Sequence, residues 1–235
     1  MTITDTPRPR HMVVDHRIDT ATARPSASPP LYARHAGPLA LAAGALIVVA
    51  QLVMLPFDPN DHVATSQSPV FQAGGVAYLV GFVTLLFALL GAHGWQAHKA
   101  GRLGAVATTT AVVGTMLLGG DLWFETFAIP WLADGSSPEV LDSDPSILLG
   151  IGAVASYLLF AIGWALVGIA SLRARVFPRT IAAAVVVGGL VGFNALLSPF
   201  GIPLGIAVAA LGLWMIRTRN TPTPTPATVR PGVSF

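Results

Sequence analysis

No cysteine occurs among the 235 residues. That excludes disulfides, cysteine-ligated zinc, iron–sulfur clusters and thiol nucleophiles together, and it removes any mark of the compartment's redox state. Charge is nearly as scarce: Asp, Glu, Lys and Arg make up 10% of the chain, against about a quarter in soluble domains. Lysine is limited to Lys99, so every other basic residue is an arginine. With the heavy use of alanine and glycine, that bias points to a GC-rich bacterial genome. No basic block with interleaved aromatics occurs, so the net charge of +2 and pI near 9.5 do not read as nucleic-acid binding.

What the chain has in abundance is apolar sequence, 53% of the residues with a mean hydropathy of +0.68. It is gathered into runs about 20 residues long, the length a helix needs to cross a hydrocarbon core about 30 Å thick. The expectation is an all-α, polytopic transmembrane bundle of six helices, over about 37–57, 70–92, 103–129, 147–171, 180–198 and 202–216. The last two come from dividing one apolar stretch, 180–216, which as a single helix would reach about 55 Å. Pro199, Gly201 and Pro203 mark the division. Residues 1–36, rich in Pro, Ser, Thr and Arg, and 217–235, with a Thr-Pro repeat, read as disordered tails. The first apolar run is too long for the core of a cleaved signal peptide and reads as a permanent helix.

Charge gives an independent check on this division. Cytoplasmic segments should hold the Lys and Arg, and with six helices all of them fall on one side, in the first tail, at Lys99 and Arg102, at Arg173, Arg175 and Arg179, and in the last tail. The opposite connections carry Asp58, Asp61, Asp134, Glu139, Asp142 and Asp144 and no basic residue. Five helices would strand Arg217, Arg219 and Arg230 on the acidic side. Both termini are therefore expected in the cytoplasm, and the location expected is the plasma membrane of a bacterium. Trp123 and Trp131 at one level, Trp95 and Trp214 at the other, suit aromatic belts.

Gly150-Ile-Gly-Ala-Val-Ala155 matches the dinucleotide pattern G-x-G-x-x-A, but the mechanism needs a strand, a turn and a helix N-terminus. Inside a continuous apolar span, these small residues instead suggest close helix packing, as do Gly188, Gly189, Gly192, Gly201 and Gly205. A polar residue also recurs six positions before a phenylalanine: Gln51 before Phe57, Asp121 before Phe127, Asn194 before Phe200. Helices 1, 3 and 5 run in the same direction, so these side chains should share one depth, joined from helices 2 and 4 by Tyr78 and Tyr157. Asp121 and Glu125, four apart, lie on one helical face. The candidate site is this polar layer of Gln51, Asp121, Glu125, Asn194, Tyr78 and Tyr157. Phe127-Ala-Ile-Pro130 resembles Phe200-Gly-Ile-Pro203, a weak hint of a duplicated helix pair.

Three functions follow from these residues. The first is a non-catalytic scaffold or interaction protein whose partners are the lipid bilayer and a second copy or another membrane protein, not nucleic acid. The alternative is a small cation- or proton-linked transporter or channel using the polar layer beneath an acidic mouth. The third is a metal-dependent hydrolase built on His62, Asp121 and Glu125, for which no H-E-x-x-H spacing speaks. No catalytic residue, cofactor or resident metal is expected from the motifs.

Overall fold

The computed structural model describes residues 34–58, 62–135 and 146–219. Residues 1–33 and 220–235 of the two tails, residues 59–61 of the first connection, and Glu139, Asp142 and Asp144 lie outside the described residues, while the last helix runs on to Arg219, three residues into the expected tail. Among those described, all regular structure is helical. The elements are α1 (Ala36–Met54), a short α2 (His62–Ser66), α3 (Pro69–Trp123), a π-helical turn (Phe124–Ala128), α4 (Ile129–Gly135), α5 (Ile147–Ala174), α6 (Arg179–Val191) with a 3-10 turn (Gly192–Asn194), and α7 (Ile202–Arg219). Four helical stretches are long and apolar enough to cross a membrane, namely Ala36–Met54, Pro69–Gly135, Ile147–Ala174 and Ile202–Arg219; Arg179–Asn194 is apolar but shorter.

The stretch Pro69–Gly135 would measure about 100 Å if straight. It folds back instead at Gly101, whose φ of 55° and ψ of −144° are closed to residues with a side chain. Three contacts trace the reversal. His93 Nδ1 lies 3.0 Å from Thr108 Oγ1, although 15 residues along a straight helix cover about 22 Å. Phe82 faces Gly119, and Thr126 faces Gly75, so residues equidistant from Gly101 meet across two antiparallel arms. The basic turn expected at 95–102 is thus helical almost to its end, and a single glycine makes the corner.

Two further helix ends differ from the expected ones. Pro130 does not stop the third helix: the wider π turn over Phe124–Ala128 accommodates a residue with no N–H to donate, and the chain stays helical to Gly135. Pro199 and Pro203 do break the chain, and earlier than expected, since regular helix ends at Asn194 and α7 begins only at Ile202. The Phe-x-Ile-Pro likeness therefore spans two unlike geometries and offers no support for duplication.

The helices close a ring in which α1 packs on α3 and α7, α5 on α3 and α6, and α6 on α7. Lipid cannot drive this packing hydrophobically, so close backbone approach has to supply the contact energy. A Cβ at Gly44 would collide with the Gly205 carbonyl, one at Gly212 with the Leu41 amide, and one at Gly114 with the Phe160 amide. An aromatic column fills the middle: Tyr78 edge-on to Phe82 at 5.0 Å, Phe82 stacked on Phe160 at 5.6 Å, and Phe160 beside Trp164 at 6.4 Å. Trp164 Nε1 donates to Thr115 Oγ1 at 3.0 Å, and that hydroxyl donates to Ala111 O at 2.6 Å, so the buried indole is satisfied.

One expectation is overturned. Gly150 and Gly152 have nothing within 4 Å of a would-be Cβ, so they pack against no helix among the described residues. Gly44→Ala and Gly114→Ala should each lower stability by about 1–3 kcal/mol, the usual range for overpacking, while Gly150→Ala should be neutral or mildly stabilising. Thermal melting of the purified variants in one detergent checks the contrast.

Candidate functional site

The break between α6 and α7 creates a problem for the bundle. Non-helical backbone at membrane depth persists only where protein satisfies its polar groups. Ala195 is buried, and its carbonyl has left the helical ladder. Gln51 Nε2 donates to Ala195 O at 3.0 Å, and the Tyr78 hydroxyl donates to the same oxygen at 2.5 Å, using both its lone pairs. Gln51 Oε1 accepts from Gly201 N at 3.2 Å. In return, the Ser198 hydroxyl donates at 2.7 Å to Gln51 O, one of the last carbonyls of α1. Gln51 thus ties both sides of the break to α1. Gly201 must be glycine, because a Cβ would come 2.6 Å from the Tyr78 oxygen and 3.1 Å from Gln51 Cδ. The Ser198–Pro199 peptide within this turn is cis.

The other four members of the expected layer are placed differently. Asp121, half-buried, accepts a hydrogen bond from Ser156 Oγ of α5. Ser156 also lies 2.8 Å from Ala153 O. Glu125, on the π turn, is exposed. Tyr157 is half-buried, stacks obliquely on Phe193 at 6.1 Å, and lies in electrostatic reach of Asp121, Glu125 and Tyr78. Asn194 sits in the 3-10 turn beside Ala195, and its side chain makes no hydrogen bond among the described residues. The structure therefore divides the layer into a knot of Gln51 and Tyr78 around the helix break and a wall of Asp121, Glu125 and Tyr157. The side chain of His62 lies outside what the structure describes, and among the described residues no group of three or more His, Asp or Glu is placed to hold a metal.

Sequence reading missed a cavity that Glu125 and Tyr157 help to line. A cavity of about 160 Å³ rests on the turn residues Leu196, Leu197 and Ser198, walled by Met54, Phe57 and Asp58 of the α1 end, Thr65 and Ser66 of α2, Phe71, and Leu122, Glu125, Thr126, Ile129 and Tyr157 opposite. Ser156, Thr126 and Ser198 carry no signal in sequence, since isolated hydroxyls in apolar helices usually bond their own backbone. A second, smaller void of about 20 Å³, room for about one water, lies toward the other end beside His93, Gln96 and Ser171. There the Ser171 hydroxyl, donating to Gln96 Oε1 at 2.8 Å, joins two buried polar groups that the layer argument also overlooked.

The two ends of the ring are of opposite charge. Arg219 donates to Arg34 O and lies 5.7 Å over the Trp95 ring, which pairs with Trp214 at 6.1 Å. Asp58, Glu125 and Asp134 lie at the cavity end, where Gln67 Nε2 reaches Asp134 Oδ1 at 3.4 Å. These features define a membrane-embedded helical bundle with a lined cavity at its acidic end. Compared with known protein families, curated proteins and solved structures, the chain matches none.

Gln51→Leu strands the Gly201 amide in apolar surroundings and should cost about 1–3 kcal/mol, whereas Tyr78→Phe, which leaves Ala195 O one donor, should cost about 1 kcal/mol. Because both donors share one acceptor, the double variant should depart from additivity by more than about 0.5 kcal/mol. Denaturant titration of the four proteins in mixed micelles measures the cycle.

Proposed function

We propose that this chain is a non-catalytic interaction protein of a bacterial plasma membrane, with six spans and both termini in the cytoplasm, that associates with a second copy of itself. The orientation is supported by the basic end, since Lys99, Arg102, Arg173, Arg175, Arg179, Arg217 and Arg219 all lie on one side of a six-span reading. The observation that carries the association is the bare beginning of α5. Ile147 is 84% exposed, Leu148 81%, Ile151 61% and Val154 53%, and Gly150 and Gly152 are open among them. At Gly44, Gly114, Gly163 and Gly212 glycines bring backbones together, whereas here, among exposed aliphatic side chains, they present a close-approach surface that nothing among the described residues uses. An isologous pair would bring this surface against itself about a two-fold axis.

Transport is the runner-up, favoured by the acidic end and its cavity. Against it, the cavity floor is the tied α6–α7 turn, and beneath lies the packed column of Phe82, Phe160 and Trp164 with buried Ile47, Leu85 and Leu118. The chain's freedom from cysteine makes a clean test. Gly152→Cys in native membranes should cross-link into dimers on mild oxidation, while Leu52→Cys, on the exposed side of α1, should not. Equal cross-linking at both positions, or none at either, contradicts the pairing. Cation or proton flux into liposomes carrying the wild-type protein, above that of empty ones, would favour transport.

A further inference from the structure

We infer that the cavity at the acidic end is a binding site for a small organic cation that joins an ammonium group to an apolar body. This goes beyond the proposed self-association and does not depend on it. The lining has two parts. Met54, Leu55, Phe57, Phe71, Leu122, Ile129, Leu196 and Leu197 form its apolar side, and Asp58, Glu125, Thr65, Ser66, Thr126, Tyr157 and Ser198 supply oxygen atoms alone. A site lined by carboxylates and hydroxyls, with no Lys, Arg or His among its described members, selects positive charge.

Three observations bear on the ligand independently of the carboxylates. At about 160 Å³ the cavity has the size of one known to take benzene. Thr126 is 6% exposed as a residue, lines the cavity, and makes no hydrogen bond among the described residues, so its hydroxyl is available to a ligand there. Tyr157 likewise makes no hydrogen bond among the described residues and lines the same space, so an aromatic residue borders it. The surrounding field has the right sign, because among the described residues every Lys and Arg sits at the far end of the bundle. An ammonium of this kind could come from a soluble amine or from the ethanolamine headgroup of a lipid entering between helices.

Benzylammonium serves as the probe, with benzyl alcohol and benzoate as neutral and anionic counterparts. A ligand that binds the native state alone raises the melting temperature by mass action. In neutral detergent the full chain should melt at rising temperature as benzylammonium is titrated, with no matching rise for the alcohol or the acid. Glu125→Gln, at an exposed position, should move half-saturation to about tenfold higher concentration, and Leu197→Trp, which fills the cavity, should abolish the shift. Asp58→Asn provides a second charge test should Glu125→Gln purify poorly. In phosphatidylglycerol nanodiscs, adding phosphatidylethanolamine decides the source: if the lipid itself raises the midpoint and benzylammonium then adds nothing, the occupant is the headgroup, and if benzylammonium shifts both, it is a soluble amine. No shift with benzylammonium, an equal shift with benzyl alcohol, or a response unchanged in both charge variants would overturn the site.

Discussion

A backbone carbonyl and a backbone amide that leave a helix inside a membrane must find partners in the protein, because lipid offers none. The turn between α6 and α7 imposes that requirement here, and Gln51 meets it by bonding Ala195 O and Gly201 N with the two ends of one amide. Much else follows from this one side chain. Its carbonyl and amino groups fix the distance between α1 and the turn, Tyr78 completes the second lone pair of Ala195 O, and Gly201 has to lack a side chain for both to approach. The turn so held closes the ring of helices from below and becomes the floor of the acidic-end cavity.

Close approach is the second constraint, and it explains where the glycines are. Gly44 against Gly205, Gly212 against Leu41, Gly114 against Phe160 and Gly163 against Ala111 let backbones touch, the substitute in lipid for burial of apolar area. Among the described residues, no fully enclosed side-chain nitrogen or oxygen is left unbonded. The open pair at Gly150 and Gly152, set among exposed aliphatic side chains, is a surface that the described fold does not use.

Much of the architecture was legible in the sequence because bilayer thickness sets helix length, and apolar runs record it. The reversal at Gly101 lay within the short basic segment that separates two such runs, although only the backbone shows that one glycine makes it. Proline was the less reliable sign. Pro130 and Pro203 stand in nearly the same four-residue context, yet a π turn absorbs the first and the chain breaks before the second, a difference of tertiary packing that local sequence does not carry. For the expected polar layer, helix rise gave only an expectation of shared depth for Gln51, Asp121 and Asn194. Which of them meet depended on rotation about each helix axis, which hydropathy does not encode: Gln51 found Tyr78, and Asp121 found Ser156. The cavity was invisible for the same reason, as its walls come from six separate stretches of chain.

The central claim is that side chains of α1 and α3 hold a non-helical turn as firmly as a helix holds itself. Hydrogen–deuterium exchange of the wild-type protein in lipid nanodiscs, read on a peptide covering residues 195–201, measures this directly. The account predicts protection at Gly201 and its neighbours comparable to that of the adjoining turns of α6 and α7. Exchange at the rate of an open loop would contradict it.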